Sequence, residues 1–529
     1  MRLLTALLAL CVAAAHAAAP RYDVCVVGAG PAGVSATVTL RQNGRSVLLL
    51  DRDTIVGGQA APQYTDALGY KVHLGAVWVL PHDYTLLMSL VAKLGLNLAP
   101  LASLTDNGYR LLRDAGVGAN LYLPNAPPLT EDFQALLRLF KAKTALIQAA
   151  IDAPGISATM ALAPQLAVPM DEWLRVNGLS MLHAIVATVL STMGYGHIHS
   201  IPAAFALKFI TLNCVLQEVA MIGYNTSSVA GHGLNGSYTD APYVFEGDIG
   251  YAEFLTRLLA TSPGALELGV NITAVARPPA GGTSDVFMTY RRPDGTQQWA
   301  ACEKLLNTVG PTLSGLRYLS LDAVETKHFA EVFANRYATT ATEVVPPLPV
   351  GIYNPALSNF GAAAVTNGVV DLAARVAARA RAEPSLMGRV ASPAWSLVDD
   401  RRPLRGQPVL FSMLRPGAAN VANISAPPPN VIVTYALADM PVSNNAYISQ
   451  VEGMFSRGAI SQSYKAKVKA LHIFEYSPRV SSAALRGGWA ARMEAMQGRR
   501  STYHAGGGLS FWNVEHSMRS GRDVVNKYF

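Results

Sequence analysis

Arg21-Tyr22-Asp23-Val24-Cys25-Val26-Val27-Gly28-Ala29-Gly30-Pro31-Ala32-Gly33, followed as far as Asp51, is the stretch on which the fold turns. Val24 to Val27 predicts an apolar strand, and it runs straight into a Gly-x-Gly-x-x-Gly turn. A helix is predicted next, with Val34, Val38 and Leu40 on one side and Gly44 stopping it. A second apolar strand, Ser46 to Leu50, then ends on Asp51. Gly28 allows the tight turn, Gly30 lets backbone approach a pyrophosphate, and Gly33 lets the helix pack closely on the strand. Phosphates meet free N–H groups and the positive end of the helix dipole. Asp51 is placed to accept hydrogen bonds from ribose hydroxyls. A glycine loop alone recurs for structural reasons, but strand, turn, helix, strand and acid in this order predict a dinucleotide site.

The next residues, Arg52-Asp53-Thr54-Ile55-Val56-Gly57-Gly58-Gln59, narrow the choice of dinucleotide. A Gly-Gly pair also suits an ordinary surface turn. After an acidic strand end and an arginine, however, it resembles the extended fingerprint of FAD enzymes in the flavin amine oxidase superfamily. That favours FAD over NAD. The superfamily usually has a basic residue after the glycine pair, where this chain has Gln59.

At 529 residues, half of them hydrophobic and 15% charged, the chain has the composition of a large, well-packed globular enzyme. Its net charge of +7 is spread out, with no basic block. That gives solubility and a mild attraction for anionic substrates or a peripheral membrane contact, and no motif supports nucleic-acid binding.

Met1-Arg2, an apolar run from Leu3 to Ala15 and small residues at Ala15 to Ala19 predict a cleaved signal peptide over residues 1–19 and a secreted product. The run falls short of the ~20 residues of a spanning helix. Cleavage removes Arg2 and Cys11, leaving Cys25, Cys214 and Cys302. Cys25 reads as a buried small hydrophobe, and Cys214 and Cys302 as a pair that spacing alone does not establish. Sequons stand at Asn225, Asn235, Asn271 and Asn423, with Asn271 inside an apparent strand.

Lys71 to Ala76 reads as a short strand closing on a Gly75-Ala76 turn. Residues 83–94, 132–151, a segment opening at Val168 and the run Ala203 to Met221 read as helices. Ala265 to Val275 holds a strand, Val286 to Tyr290 pairs with Gln298-Trp299 across an Asp294-Gly295 turn, and Lys304 to Gly310 is a further strand. The fold class is α/β: a Rossmann-type FAD-binding domain of amine oxidase type, with an inserted helical lobe and a mixed α+β substrate domain. The expected limits are 20–95, 235–310 and 471–529 for the discontinuous FAD domain, 96–234 for the lobe and 311–470 for the substrate domain. Near the C-terminus, a short strand runs through Tyr503-His504-Ala505-Gly506-Gly507-Gly508-Leu509-Ser510-Phe511 into a helix toward Val525. The amine oxidase superfamily holds the flavin's ribityl chain and ring at such a helix start.

Four segments resemble the FAD-dependent polyenoic fatty acid (linoleate) isomerases. They are Met193-Gly194-Tyr195-Gly196-His197 with Ile201 to Ala204 and Leu207-Lys208; Val431 to Leu437; Pro478 to Ser482; and Gly488-Trp489 leading to Gln497-Gly498-Arg499-Arg500. With the nucleotide motifs, the resemblance covers nearly the whole mature chain. It implies conversion of a methylene-interrupted polyunsaturated fatty acid into a conjugated one, with a hydride passed to flavin N5 and back. The protein's share is to position an apolar chain and exclude water. The implied FAD contacts are Gly28, Gly30, Ala32, Gly33, Asp51, Arg52, Gly57, Gly58, Gln59, Gly75, Ala76, Ile272, Gly506, Gly507, Ser510 and Phe511. Tyr195 and His197 stand nearest the chemistry, although a histidine in an apolar stretch is more often structural. His197 and His199 alone do not make a metal site, and none is expected.

Two departures qualify the resemblance. Gly507 stands where the family has an acidic residue, and Leu96 to Asp106 holds no basic residue for a fatty carboxylate, leaving Arg110, Arg113 or Lys208 to serve. The same motifs suit a secreted flavin oxidase or dehydrogenase of amines, amino acids or prenylated thiols, or a non-catalytic flavoprotein or lipid-binding protein.

Overall fold

The computed structural model describes residues 19–65, 71–100, 109–113, 116–120, 131–221, 243–246, 249–282, 284–345, 352–353, 409–414, 430–438, 443–456 and 465–529. The predicted signal peptide and the sequons at Asn225, Asn235 and Asn423 lie outside them.

Strand β1 (Arg21–Val27), helix α1 (Pro31–Gln42) and β2 (Val47–Leu50) open the chain, followed by β3 (Gln63–Thr65), β4 (Lys71–His73) and α2 (Thr85–Lys93). Next come β5 (Leu98–Pro100), β6 (Tyr109–Arg113) and β7 (Gly116–Asn120). Helices α3 (Glu131–Ala145), α4 (Gln148–Ile151), α5 (Gly155–Leu162), α6 (Met170–Val176), α7 (His183–Thr192), α8 (Ala203–Ala206) and α9 (Leu212–Met221) form the lobe. The chain returns through β8 (Tyr243–Phe245), α10 (Tyr251–Ala260), β9 (Leu266–Glu267), β10 (Asn271–Ala276), β11 (Val286–Arg291), β12 (Gln297–Asn307) and α11 (Ala323–Phe329). Long strands follow: β13 (Phe333–Val345), β14 (Ile352–Tyr353), β15 (Val409–Leu414), β16 (Asn430–Ala438) and, after α12 (Asn444–Ser456), β17 (Lys465–Arg479). Helices α13 (Ser482–Arg486) and α14 (Trp489–Met496), strand β18 (Thr502–His504) and α15 (Val514–Tyr528) close the described chain.

The first sheet has the order β10-β11-β12-β1-β2-β9, with β18 added beside β12. β1 lies parallel to both β2 and β12. All four residues of β2 and the last four of β1 are buried. That is the near-continuous apolar pattern of a parallel sheet covered on both faces. α15 packs on α1 at a point where no side chain fits, because a Cβ on Gly521 would overlap the carbonyl oxygen of Ala32.

The second sheet has the order β17-β13-β16-β15-β14-β6-β7, antiparallel except where β14 meets β6. It crosses the domain limits expected from sequence: β6 and β7 come from the stretch assigned to the helical lobe, and β17 runs past residue 471. Short strands at a sheet edge take their pairing from partners hundreds of residues away, which local periodicity does not register. Three other elements differ from expectation, the first being the helix expected over 132–151, which divides into α3 and α4. The helix expected from Ala203 to Met221 is two helices, and α9 starts afresh where the Thr211 hydroxyl accepts from the Cys214 N–H at 3.0 Å. The strand expected over Ala265 to Val275 divides into β9 and β10 around Gly269, which has φ +69°.

Cys302 pairs with Cys25, not with Cys214: the two form a disulfide between β12 and β1 with Cα atoms 5.7 Å apart, and Cys214 is a buried free thiol. Both partners sit in adjacent parallel strands, so the sheet itself brings them together.

Candidate functional site

One cavity of about 630 Å³ runs from the glycine turn of the first sheet to the aromatic face of the second and the foot of the helical lobe. At its first end the local sequence explains the geometry. Gly28 takes φ +106° and donates to the Leu50 carbonyl at 2.8 Å. Asp51 accepts from the N–H of Ala29 and, at 2.8 Å, from that of Asp53, so its carboxylate ties the turn to the end of β2. Burial pushes its pKa up, and those two N–H bonds pull against the rise. Helix α1 has Gly30 at its N-cap and Pro31 as its first residue, with no side chain capping its first turn. Its free N–H groups therefore open toward the cavity.

Of the residues implied for the cofactor, Gly28, Gly30, Ala32, Asp51, Arg52, Gly58, Gln59, Gly75, Ala76, Ile272, Gly506 and Gly507 line the cavity. Gly33, Gly57, Ser510 and Phe511 do not. Gly33 serves the packing of α1, since a Cβ there would overlap the Gly28 carbonyl oxygen. Phe511 stands behind the wall, with its ring 4.5 Å from that of Tyr195.

Gly507 has a local cause. A Cβ there would come within 2.5 Å of Cε3 of Trp512, so the tryptophan occupies the space a side chain would need. The Trp512 indole N–H donates to Gln59 Oε1 at 2.9 Å. The two departures at 59 and 507 thus meet in one contact.

At the far end Tyr195 belongs to an aromatic cluster, with ring centroids 5.0 Å from Phe209 and 5.9 Å from Tyr476. Tyr476 stacks on Tyr337 at 4.9 Å, and Tyr337 on Tyr435 at 5.9 Å. Burial pushes the hydroxyl pKa values of all four tyrosines upward, so they remain protonated. The Tyr195 loop is clamped from below. Arg479 donates to Tyr195 O at 3.1 Å, Ser200 Oγ at 3.0 Å and Asn335 Oδ1 at 3.2 Å. Cβ atoms on Gly194 or Gly196 would strike Tyr337 or Arg479, which accounts for both glycines. His197 lies outside the lining, its ring 5.6 Å from that of His199. Among the described residues no cluster of three or more metal-ligating side chains exists.

The Gln497-to-Arg500 segment is a clamp. Gln497 exchanges two hydrogen bonds with the His504 backbone at 2.9 and 2.8 Å. Arg499 pairs with Asp322, and Arg500 donates to the carbonyls of Pro278 and Ser320. Lys208, a candidate for a fatty carboxylate, is instead buried and donates to the carbonyls of Ile151 and Ala153 at 2.9 Å each. The side chains of Arg110 and Arg113 lie outside those described.

Sequence reasoning did not single out Trp78, Thr308, Tyr337, Tyr476, Trp512 or the α9 residues Gln217 and Glu218 as lining. For the strands a signal existed: Tyr337 and Thr339 on β13, and Phe474 and Tyr476 on β17, stand two apart and so share a face.

The arrangement joins a glycine-turn cleft, of the type seen in dinucleotide-binding folds, to a buried apolar chamber. Residues 26–94 match the model of an NAD(P)-binding Rossmann-like domain. The fold of the chain is similar to that of solved amine oxidases and of a fatty acid isomerase. It is similar to the crystal structure of a conjugated-linoleic-acid (CLA)-producing fatty acid isomerase from P. acnes, with a TM-score of 0.69, 21% identity and coverage of 96% of this chain and 99% of that one. Putrescine oxidase bound to putrescine matches with a TM-score of 0.53, 14% identity and coverage of 96% and 98%. In sequence, putrescine oxidase of Kocuria rosea is 45% identical over 74 residues, and L-amino-acid oxidase of Echis ocellatus 30% over 92. The matched stretches span 14% and 17% of this chain and only 15% and 18% of those relatives.

Proposed function

We propose that the chain is an FAD-dependent isomerase that converts methylene-interrupted polyunsaturated fatty acids into conjugated ones. The observation that carries this reading is the cavity itself, which continues from the glycine cradle into a chamber walled by tyrosine and phenylalanine rings. The residues present fit the cofactor. The uncapped start of α1 and the bare Gly28–Gly30 turn suit a pyrophosphate, and Asp51 suits a ribose. Gly58, Gly75, Ala76, Gly506 and Thr308 leave room for the ribityl chain and ring. When bound, the flavin supplies reversible hydride acceptance, so the overall reaction has no net redox change. The protein's own contribution is to hold the chain and keep water out. The stacked rings of Tyr195, Tyr337 and Tyr476 offer flat apolar walls, and their hydroxyls stay neutral. The predicted leader and the Cys25–Cys302 disulfide support a secretory route. No helix of the described residues is long and apolar enough to cross a membrane.

Anaerobic incubation of the FAD-loaded protein with a polyunsaturated fatty acid tests the reading through the ultraviolet absorbance of a conjugated product. Deuterium placed on the central methylene is expected two carbons away in the product. Solvent deuterium at that carbon overturns the hydride route. Oxygen uptake and peroxide with an amine or amino acid, and no change in the fatty acid, would give the case to an oxidase.

A further inference from the structure

The apolar chamber contains two polar side chains that no described residue satisfies. Cys214, Gln217 and Glu218 stand at i, i+3 and i+4 on α9, so they share one face of the helix. All three line the cavity. Gln217 is buried and Glu218 is half-buried. Among the described residues, neither the Gln217 amide nor the Glu218 carboxyl has a hydrogen-bond partner.

The charges along the cavity are unevenly placed. Asp51, Arg52 and Asp53 belong to the nucleotide end, and Arg317 stands in the segment that follows β12. Among the described lining residues, the remaining charged side chain is Glu218. No described cation draws it toward the ionised form, and burial alone pushes its pKa up to about 7. An amide and a carboxyl exposed to an apolar cavity, with no internal partner, are groups awaiting a ligand's polar end.

We propose that Gln217 and Glu218 form the seat for the carboxyl end of the substrate, with the Gln217 N–H donating to one oxygen and a proton shared between the Glu218 carboxyl and the other. The inference rests on the isomerase reading above and extends it to head-group recognition. Two carboxyl groups in one apolar site do not both ionise, so one proton bridges them. Bonds of that kind, with one partner charged, are the stronger class. The seat also takes the place of the cation absent from Leu96 to Asp106. A methyl ester carries no charge, and its methyl group caps the second oxygen that would complete the seat.

Binding separates the seat from the chemistry. The FAD-loaded full chain is titrated with a saturated long-chain fatty acid, its methyl ester and its primary amine, and heat release is recorded. We expect the acid to bind more tightly than the ester or the amine. Combining Gln217→Leu with Glu218→Leu should weaken the acid by about tenfold or more and leave the ester unchanged. Glu218→Gln, which keeps a donor at the same place, should retain most of the acid's affinity. Melting temperatures establish that the variants fold. A folded double variant that binds the acid like wild type overturns the seat, and so does an amine that binds wild type more tightly than the acid. If the acid depends on Gln217 and Glu218 but a polyunsaturated acid is never conjugated, the isomerase reading fails and the seat stands.

Discussion

Asp51 does two things with one carboxylate. It holds the N–H groups of Ala29 and Asp53, and it faces the cavity where a ribose would lie. Replacing it with alanine frees the turn and removes charge-assisted hydrogen bonds worth about 1.5–3 kcal/mol each. Asp51→Ala should therefore lose flavin on gel filtration that the wild type keeps, with Asp51→Asn between the two. Arg479 acts at one remove, through the backbone of Tyr195. A lysine has one ammonium for three separated acceptors, so Arg479→Lys should lower turnover while flavin retention stays at the wild-type level. The glycine-turn end of the cavity was legible because Gly28 to Asp51 is a local pattern. The contact of Gln59 with Trp512 spans 453 positions, and no local spacing announces such a partner.

Helix α15 carries a consequence for α1. Gly521 lies against Ala32 O, on the first turn of the helix whose start faces the cavity. Gly521→Ala should force the helices apart at a cost of about 1–3 kcal/mol, read as a lower urea midpoint, and should loosen flavin binding with it. Helices α3 and α6 of the lobe and α15 were legible from periodicity, because burial of one face leaves its mark every three to four residues. The seven-stranded second sheet was not, since β6 and β7 join it only through β14, more than two hundred positions later. The Gln497-to-Arg500 segment stood out in sequence by its resemblance to the fatty acid isomerases. Its physical role, tying β18 to Asp322 and Pro278, needed the fold.

Over the whole molecule, three buried imidazoles govern behaviour in acid. Burial holds His328 at a pKa of about 4, and His504 and His516 at about 3, against 6.5 when free. Each is neutral in the fold and takes a proton readily once unfolded. Their stabilisation is therefore complete above pH 6.5 and is lost as pH falls through that value toward 4 and then 3. Urea unfolding at pH 5 should show a loss on the order of 1–2 kcal/mol per imidazole relative to pH 7. His328→Gln should recover part of that loss. The order of strands in the first sheet bears on synthesis. β1 is made well before one of its two neighbours, β12, which follows some 277 residues later, and α15 covers α1 later still. The nascent nucleotide fold must therefore wait, half-paired, through translation of the helical lobe. A chaperone that shields the open edge of β1 during that wait is expected to raise the yield of folded chain.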